Sequence, residues 1–309
     1  MQKKKKENNP GYFEHMANHA VVLVLKFFAL LPLGFLYLLA DFICFLLRNV
    51  VHYRSAVVID NLKHAFPEKS DKEILAIRNK FYRYFADLFI ESMKMYGMSE
   101  EALSKRVSFK GLDILNAYAQ RGQSVIILAY HHHNWEWASI IQKFSKHRIL
   151  MVYNKMRNNQ PMDDFLLKSR EKWGGVGVQM GRAAKAMFDF QKQKIPTFLW
   201  LAADQSALPD QGMWARFFNR EAAFFAGPEK IARKTNQPVF IQRVRRLARG
   251  NYEYEFTLLC EEPAKAQPYH VLLSYIQKME EVLKEDPEYY LWSHRRWKHK
   301  RPENLQLIK

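Results

Sequence analysis

The sequence predicts an α/β fold with a largely parallel central sheet flanked by helices, preceded by an apolar, membrane-associating helical segment at the N-terminus. From residue 108 onward, short apolar runs of strand length alternate with stretches of helical periodicity, which is the pattern of a parallel sheet covered by helices. Before that point, residues 20–47 form one apolar stretch that is too long for a strand. The chain of 309 residues is long enough for one large domain with an appendage.

The N-terminal segment combines a basic tail with this apolar stretch. Lys3–Lys6 are four consecutive lysines that we expect to be solvated. Within the apolar stretch, Phe27–Leu47 is just long enough to span a bilayer if Asp41 lies at one edge, because a spanning helix needs about 20 apolar residues. Pro32 and Gly34 fall in the middle of the stretch, where we expect a kink.

Both flanks of the apolar stretch are basic, because lysines precede it and Arg48 and Arg54 follow it. By the positive-inside rule both ends prefer the cytoplasm, which favours a segment that dips into the membrane or lies on it over a single crossing. A buried core helix is the alternative. We therefore expect two parts, residues 1–53 as basic tail and membrane-associating segment and residues 54–309 as the main domain.

The order of secondary-structure elements can be predicted along the rest of the chain. Residues 54–98 are predicted to be helical, with Ser70 and Glu73 as a capping box ahead of apolar residues at helical spacing. The predicted strands are Ser124–Tyr130, Arg148–Tyr153, Thr197–Ala202, Pro238–Val244 and the alternating Tyr252–Leu259. Further helices are predicted near residues 134–146, 161–173, 182–193 and 228–235, and at His270–Lys284. The glycines within residues 174–181 are interpreted as a loop.

The net charge predicts anionic partners. Forty-eight Lys and Arg against 31 Asp and Glu give a formal charge of +17, which favours phospholipid surfaces, nucleic acid or acidic proteins. A nucleic-acid-binding protein is one alternative, since Trp292, Trp297 and Tyr290 lie among arginines. The sequence has no recognisable nucleic-acid module, and that class gives the apolar segment no role, so we expect no nucleic-acid partner. Cys44 and Cys260 lack metal-ligand spacing and indicate a cytosol-facing protein.

The segment Tyr130–Glu136, with the sequence YHHHNWE, carries the candidate catalytic groups. It follows a predicted strand, and ligands of open α/β sheets bind at the carboxyl ends of strands. Asn134 is a candidate helix N-cap, which places Glu136 in the first turn, where the helix dipole favours a carboxylate. His131 and Glu136 can then meet as a base and the acid that orients it. An ordinary surface pair is the open alternative. Three consecutive histidines do not easily converge on one ion, so no metal is expected.

The motif His131-x4-Glu136, with Asn134 and Trp135 inside it, closely resembles the lipid A late acyltransferases, the lauroyl and myristoyl transferases of the lysophospholipid acyltransferase superfamily. That family typically reads His-Phe-Gly-Asn-Trp-Glu at this point. Further segments match in the same order from about residue 20 to the end of the chain. They are Asn61-Leu62 with Phe66-Pro67-Glu68, then Tyr153, Arg170, Asp204-Gln205, Phe217-Phe218, Gly227-Pro228 and the block Trp292–Lys298.

The resemblance implies an O-acyltransferase domain in which His131 is the general base on an acceptor hydroxyl and Glu136 orients it, without an acyl-enzyme. It assigns substrate-binding places to Asn134, Arg170 and Asp204. The implied donor is an acyl thioester on acyl carrier protein or acyl-CoA, and the implied acceptor is an anionic glycolipid, a lipid A precursor. The implied place is the cytoplasmic face of the inner membrane, and no cofactor is expected.

Two questions stay open at this point. His132 and His133 replace the aromatic residue and the glycine of the family motif, so the turn must be made without glycine. This leaves open whether His131 or His132 faces Glu136, and the motif register favours His131. The same motif is also compatible with a lysophospholipid, an aminolipid or another glycolipid as acceptor.

Overall fold

The computed structural model describes residues 12–156 and 158–309, and the lysine run of the basic tail lies outside the described residues. The α-helices are α1 Tyr12–Leu30, α2 Leu33–Phe45, α3 Ser55–Ala65, α4 Asp71–Met95, α5 Glu100–Ser104, α6 Leu112–Gln120, α7 Gln160–Glu171, α8 Ala183–Lys192, α9 Gly227–Thr235 and α10 His270–Glu285. The strands are β1 Val107–Lys110, β2 Val125–Ala129, β3 Arg148–Tyr153, β4 Val176–Gln179, β5 Thr197–Ala202, β6 Gly212–Phe217, β7 Arg220–Phe225, β8 Val239–Ala248, β9 Asn251–Cys260 and β10 Leu307–Ile308.

Seven strands form the central sheet, in the order β1-β9-β8-β2-β5-β3-β4. Its pairings are parallel apart from the antiparallel β8–β9 hairpin. In the central strand β2, Val125 and Ile127 pack into one hydrophobic cluster, while Ile126 and Leu128 pack into the other. The alternation shows that both faces of the sheet are covered, as expected for parallel strands. The α/β fold class predicted from the sequence is confirmed.

Two local predictions were wrong. The helix predicted near residues 134–146 is a 3₁₀ helix, Trp137–Lys143, whose first five residues are all buried, so it lacks the polar face of an amphipathic α-helix. Within residues 174–181, interpreted as a loop, the structure has strand β4 paired with β3. A Cβ at Gly177 would lie 2.3 Å from Leu167 Cδ1, so the missing side chain allows α7 to pack closely on this strand.

A second sheet of three strands, in the order β10-β6-β7, packs beside the main one. Strands β6 and β7 form an antiparallel hairpin, and β10 adds in parallel to β6. This second sheet was not predicted from the sequence.

The apolar N-terminal stretch forms two helices instead of one kinked helix. Leu31 and Pro32 separate α1 from α2, because Pro32 has no N–H and its ring excludes the carbonyl one turn before it. Lys94 on α4 donates to the carbonyl oxygens of Ala29 and Leu31, at 2.9 and 2.8 Å. The lysine thereby satisfies carbonyl groups that a helix end leaves free.

Two stretches are long and apolar enough to cross a membrane: Phe13–Leu30 in α1, and Leu33–Val50, in which α2 continues into a π-helical segment, Leu46–Val50. Only 11% and 17% of these windows are buried inside the protein. The alternative of a buried core helix is therefore wrong for this segment. The helices nevertheless contact the main domain, for example through Tyr37, whose hydroxyl donates to Glu91 at 2.7 Å.

Candidate active site

The site lies where β2 and β5 end. His131 follows β2 by two residues and Asp204 follows β5 by two residues. The two strands pair in parallel with Ala129 opposite Ala202, and this register brings the two side chains together. His131 Nδ1 is 2.7 Å from Asp204 Oδ1, and the His131 backbone N–H donates to Asp204 Oδ2 at 3.1 Å.

The Asp204 carboxylate determines which ring nitrogen of His131 carries the proton, and it also affects the pKa of the ring. Burial alone disfavours charge on both groups, but their mutual attraction outweighs it, so the pKa of His131 is raised and the pKa of Asp204 is lowered. Since the Nδ1–H group donates a hydrogen bond to the Asp204 carboxylate, the neutral ring carries its lone pair on Nε2. The amide nitrogen of Gln205 lies 3.3 Å from Nε2, and Trp135 packs edge-on against the ring with centroids 4.7 Å apart.

Glu136, expected to orient His131, is paired with Arg170 instead. Arg170 Nε and Nη2 lie 2.7 and 2.5 Å from the two carboxylate oxygens of Glu136. Burial raises the pKa of Glu136, but the charge and hydrogen bonds of Arg170 outweigh it and lower that pKa below its usual value. Across residues 12–156 and 158–309, the hydrogen bonds show no link between Glu136 and His131.

Asn134 supports the loop from inside the protein. Its side-chain oxygen accepts from the N–H of Trp137 at 3.1 Å. The 3₁₀ helix begins only at Trp137, with Glu136 as its N-cap residue, so the N-cap predicted at Asn134 was wrong, although Asn134 does bond the first N–H of the helix. Its amide donates to Glu91 at 2.7 Å, and its carbonyl accepts from Tyr254. With 1% of its surface exposed, Asn134 is placed behind the site and not on its wall.

Glu91 on α4 is a buried group that the sequence analysis missed. Its carboxyl oxygens accept hydrogen bonds from Tyr37, Asn134 and Tyr252, each at 2.7 Å. Burial raises its pKa, and these three donors offset the effect only in part. The sequence does indicate a buried carboxylate here, because Glu91 lies three residues after Leu88 on the apolar face of α4, where an acidic residue is unexpected.

A cavity of about 740 Å³ opens at this end of the sheet. Its wall includes His131, Glu136 and Arg170, so the structure brings three of the predicted site residues to one space. Asp204 lies behind His131, outside the cavity wall. Much of the remaining wall is apolar, with Met151, Trp200, Leu201, Leu208, Phe225 and Ile231. A mostly apolar cavity with a few polar groups at one end suits a ligand with a long apolar part.

Comparison with known proteins assigns the chain to a family. The model of the bacterial lipid A biosynthesis acyltransferases matches residues 1–299. The chain belongs to this family. Lipid A biosynthesis acyltransferase 2 of Shigella flexneri is 28% identical over 116 residues, which cover 37% of this chain and 36% of that relative. The match thus spans about a third of the relative's length.

A solved structure also resembles this member of the lipid A biosynthesis acyltransferase family. It is the 1-acyl-sn-glycerophosphate (LPA) acyltransferase PlsC from Thermotoga maritima, with 14% sequence identity and a TM-score of 0.36. The superposition covers 81% of this chain and 94% of that chain.

The segments that carry the acyltransferase resemblance meet behind the site, although they are far apart in sequence. Asn61 donates to the carbonyl oxygens of Trp292 and His294, at 2.7 and 2.9 Å. Phe66 packs edge-on against Trp292, and the N–H of Ser206, two residues after Asp204, lies 3.2 Å from His294 Nε2. The C-terminal block therefore supports the segment that carries Asp204.

The family's motif glycine corresponds to a histidine in this chain. His133 has a φ of +51°, the left-handed conformation that glycine adopts without steric cost and other residues adopt rarely. His133 therefore adopts here a backbone conformation that glycine would adopt more easily. Both His132 and His133 point into the protein and lie outside the cavity wall.

Proposed function

We propose that the protein transfers a fatty acyl chain from an acyl thioester to a hydroxyl group of a lipid A precursor, with His131 as general base. The observation that carries the proposal is the position of His131. Its ring lies in the wall of a largely apolar cavity, with Nδ1 held by the buried Asp204 and Nε2 facing Gln205. Membership of the acyltransferase family supports the reaction type.

The proposed reaction is a direct transfer. His131 Nε2 takes the proton of the acceptor hydroxyl while that oxygen attacks the thioester carbonyl carbon. The tetrahedral intermediate then expels the thiolate, which recovers the proton from His131, so that an ester and a free thiol are formed. Arg170, on the same wall and held by Glu136, supplies positive charge for the oxyanion. In this mechanism Asp204 orients the base, and Glu136 orients Arg170.

The charge of the protein and of its cavity supports acidic substrates. The formal charge of +17 favours an acidic donor such as acyl carrier protein, and an acceptor that carries phosphate. Lys230, which is exposed, adds a second cation to the cavity wall beside Arg170. The apolar part of the wall matches the acyl chain in character.

The proposed location is the cytoplasmic face of the inner membrane, where α1 and α2 contact the bilayer. Large apolar side chains on both helices are exposed, among them Leu23, Phe27, Leu38 and Phe42, with 57–67% of their surface accessible. Apolar surface of this extent marks a membrane or protein contact.

The test is acyl transfer by the purified full-length protein in detergent, with acyl carrier protein thioesters and acyl-CoA compared as donors. Lipid A precursor and lysophospholipid are offered in parallel as acceptors. We expect transfer to the lipid A precursor, and we expect His131→Ala to reduce it by about 10²–10⁴-fold. His270→Ala, at an exposed histidine outside the site, is the matched control and stays active. Full activity of His131→Ala would exclude the mechanism, and acylation of the lysophospholipid alone would exclude the acceptor.

A further inference from the structure

The loop that follows His131 places two imidazole rings in the protein interior. His132 and His133 have 0% and 2% of their surface exposed. Because His133 has a φ of +51°, the two consecutive rings meet instead of pointing apart, with their centroids 4.3 Å from each other. Consecutive histidines were not expected to converge on one ion, but these two are close enough to do so.

The ring nitrogens of both histidines lack a hydrogen-bond partner in good geometry. All four are buried, and among the residues that the structure describes only the Asp286 backbone lies near enough to interact with one of them, on His132. Native proteins rarely bury polar side-chain atoms without a partner, so each such group calls for an explanation, for example an ion. Burial disfavours the charged form of an imidazole, so each ring offers a lone pair to a ligand.

Asp286, directly after α10, completes the cluster. The ligand atoms of His132, His133 and Asp286 all lie within 4.8 Å of one another. Two imidazole nitrogens and one carboxylate oxygen are a donor set that suits zinc. Atoms that bind one zinc ion at about 2.1 Å lie about 3.4 Å from one another. Modest side-chain rotations therefore bring the three ligand atoms to the distances that zinc requires. The Asp286 side chain is 40% exposed, which gives an ion a route from solvent.

We propose that His132, His133 and Asp286 bind a zinc ion, with water in the fourth position, and that the ion fastens the His131 loop to the segment after α10. The two segments already touch, because the His133 N–H donates to the Tyr289 carbonyl at 2.9 Å and His132 forms a β-bridge with Tyr290. The ion adds a second connection through the side chains. Its role is structural, since neither His132 nor His133 lines the cavity.

Arg243 is the cation that competes for Asp286. Its Nη2 lies 3.8 Å from Asp286 Oδ2, but the same nitrogen is hydrogen-bonded to Glu285. The arginine charge is therefore shared, and its shorter contact is with Glu285, so its hold on Asp286 is the weaker of the two.

The test is zinc binding by the untagged full-length protein, stripped with a chelator and then dialysed against zinc in detergent. The background is His15→Gln with His19→Gln, because these two rings lie 4.5 Å apart on α1 and are a rival zinc pair. We expect about one zinc ion per chain and a rise in the thermal midpoint when zinc is added, since zinc binds the folded state.

Two variants in this background locate the site. His132→Phe with His133→Gly places there the residues that the family motif has, so it should fold, and we expect it to lose the zinc. Asp286→Asn keeps both imidazoles and should bind zinc at least about tenfold more weakly. His270→Gln, at an exposed histidine, is the control that keeps the zinc. The proposal is overturned if the background protein binds none, if the double variant binds as much, or if Asp286→Asn binds as tightly.

Discussion

Two carboxylates near His131 have different roles in the site. Asp204 bonds the Nδ1 atom of His131, whereas Glu136 is occupied by Arg170. Only the carboxylate on Nδ1 sets the tautomer that leaves Nε2 free to accept a proton. Both carboxylates favour the protonated ring, with Asp204 the stronger of the two.

Replacing these carboxylates one at a time tests which of them orients the base. We expect Asp204→Asn to lower kcat/KM by about 10³–10⁴-fold, since the wrong tautomer of His131 becomes available. A general base must be neutral, so activity is lost as pH falls through the pKa of His131. Because Asp204 raises that pKa, Asp204→Asn should move the acid limb of the profile to lower pH. The measurement is kcat/KM against pH with a metal chelator present. Glu136→Gln is the matched variant and should move the limb less. The reverse ranking of the two shifts contradicts the assignment.

The sequence motif identified His131 but could not identify its hydrogen-bond partner. Asp204 lies 73 residues further along the chain, and only the pairing of β2 with β5 brings it to the ring. Asp204 was predicted to bind substrate, and on the family resemblance alone. The short spacing between His131 and Glu136 suggested Glu136 as that partner. Spacing in the sequence identifies residues that are close along the chain, but it does not identify residues that neighbouring strands bring together.

Secondary-structure elements with a strong apolar pattern were predictable, and those defined by tertiary contacts were not. Strands β2, β3 and β5 are continuous apolar runs, and the capping box at Ser70 and Glu73 marks the start of α4. In contrast, β4 contains Gly177, whose role emerges only from its contact with Leu167. The break between α1 and α2 was visible at Pro32, but the lysine that caps it is on α4.

The close contact between α1 and the end of α4 can be tested by a pair of glycine substitutions. A Cβ at Gly97 would lie 2.2 Å from the Ala29 carbonyl oxygen, whereas a Cβ at Gly34 has nothing within 4 Å. We expect Gly97→Ala to destabilise the protein by about 1–3 kcal/mol through overpacking. Gly34→Ala, inside α2, should be neutral or stabilising by up to about 1 kcal/mol, because alanine favours helix. The readout is the thermal midpoint of unfolding in one detergent. Equal effects of the two changes would show that α1 does not pack there.

Across the whole molecule, the apolar helices and the excess of basic residues predict two additive contributions to membrane binding. The charge of +17 attracts anionic lipid and is screened by salt, whereas insertion of α1 and α2 is not. We therefore expect the protein to co-sediment with vesicles of phosphatidylglycerol and phosphatidylcholine. We expect 1 M salt, at which the Debye length is only about 3 Å, to release just part of it. Leu38→Glu with Phe42→Glu, on the exposed face of α2, should reduce the salt-resistant part. Ile114→Glu, at an apolar residue on α6 that is also about half exposed, is the control and should leave it intact. Complete release of the unaltered protein by salt would mean that charge alone holds it to the membrane.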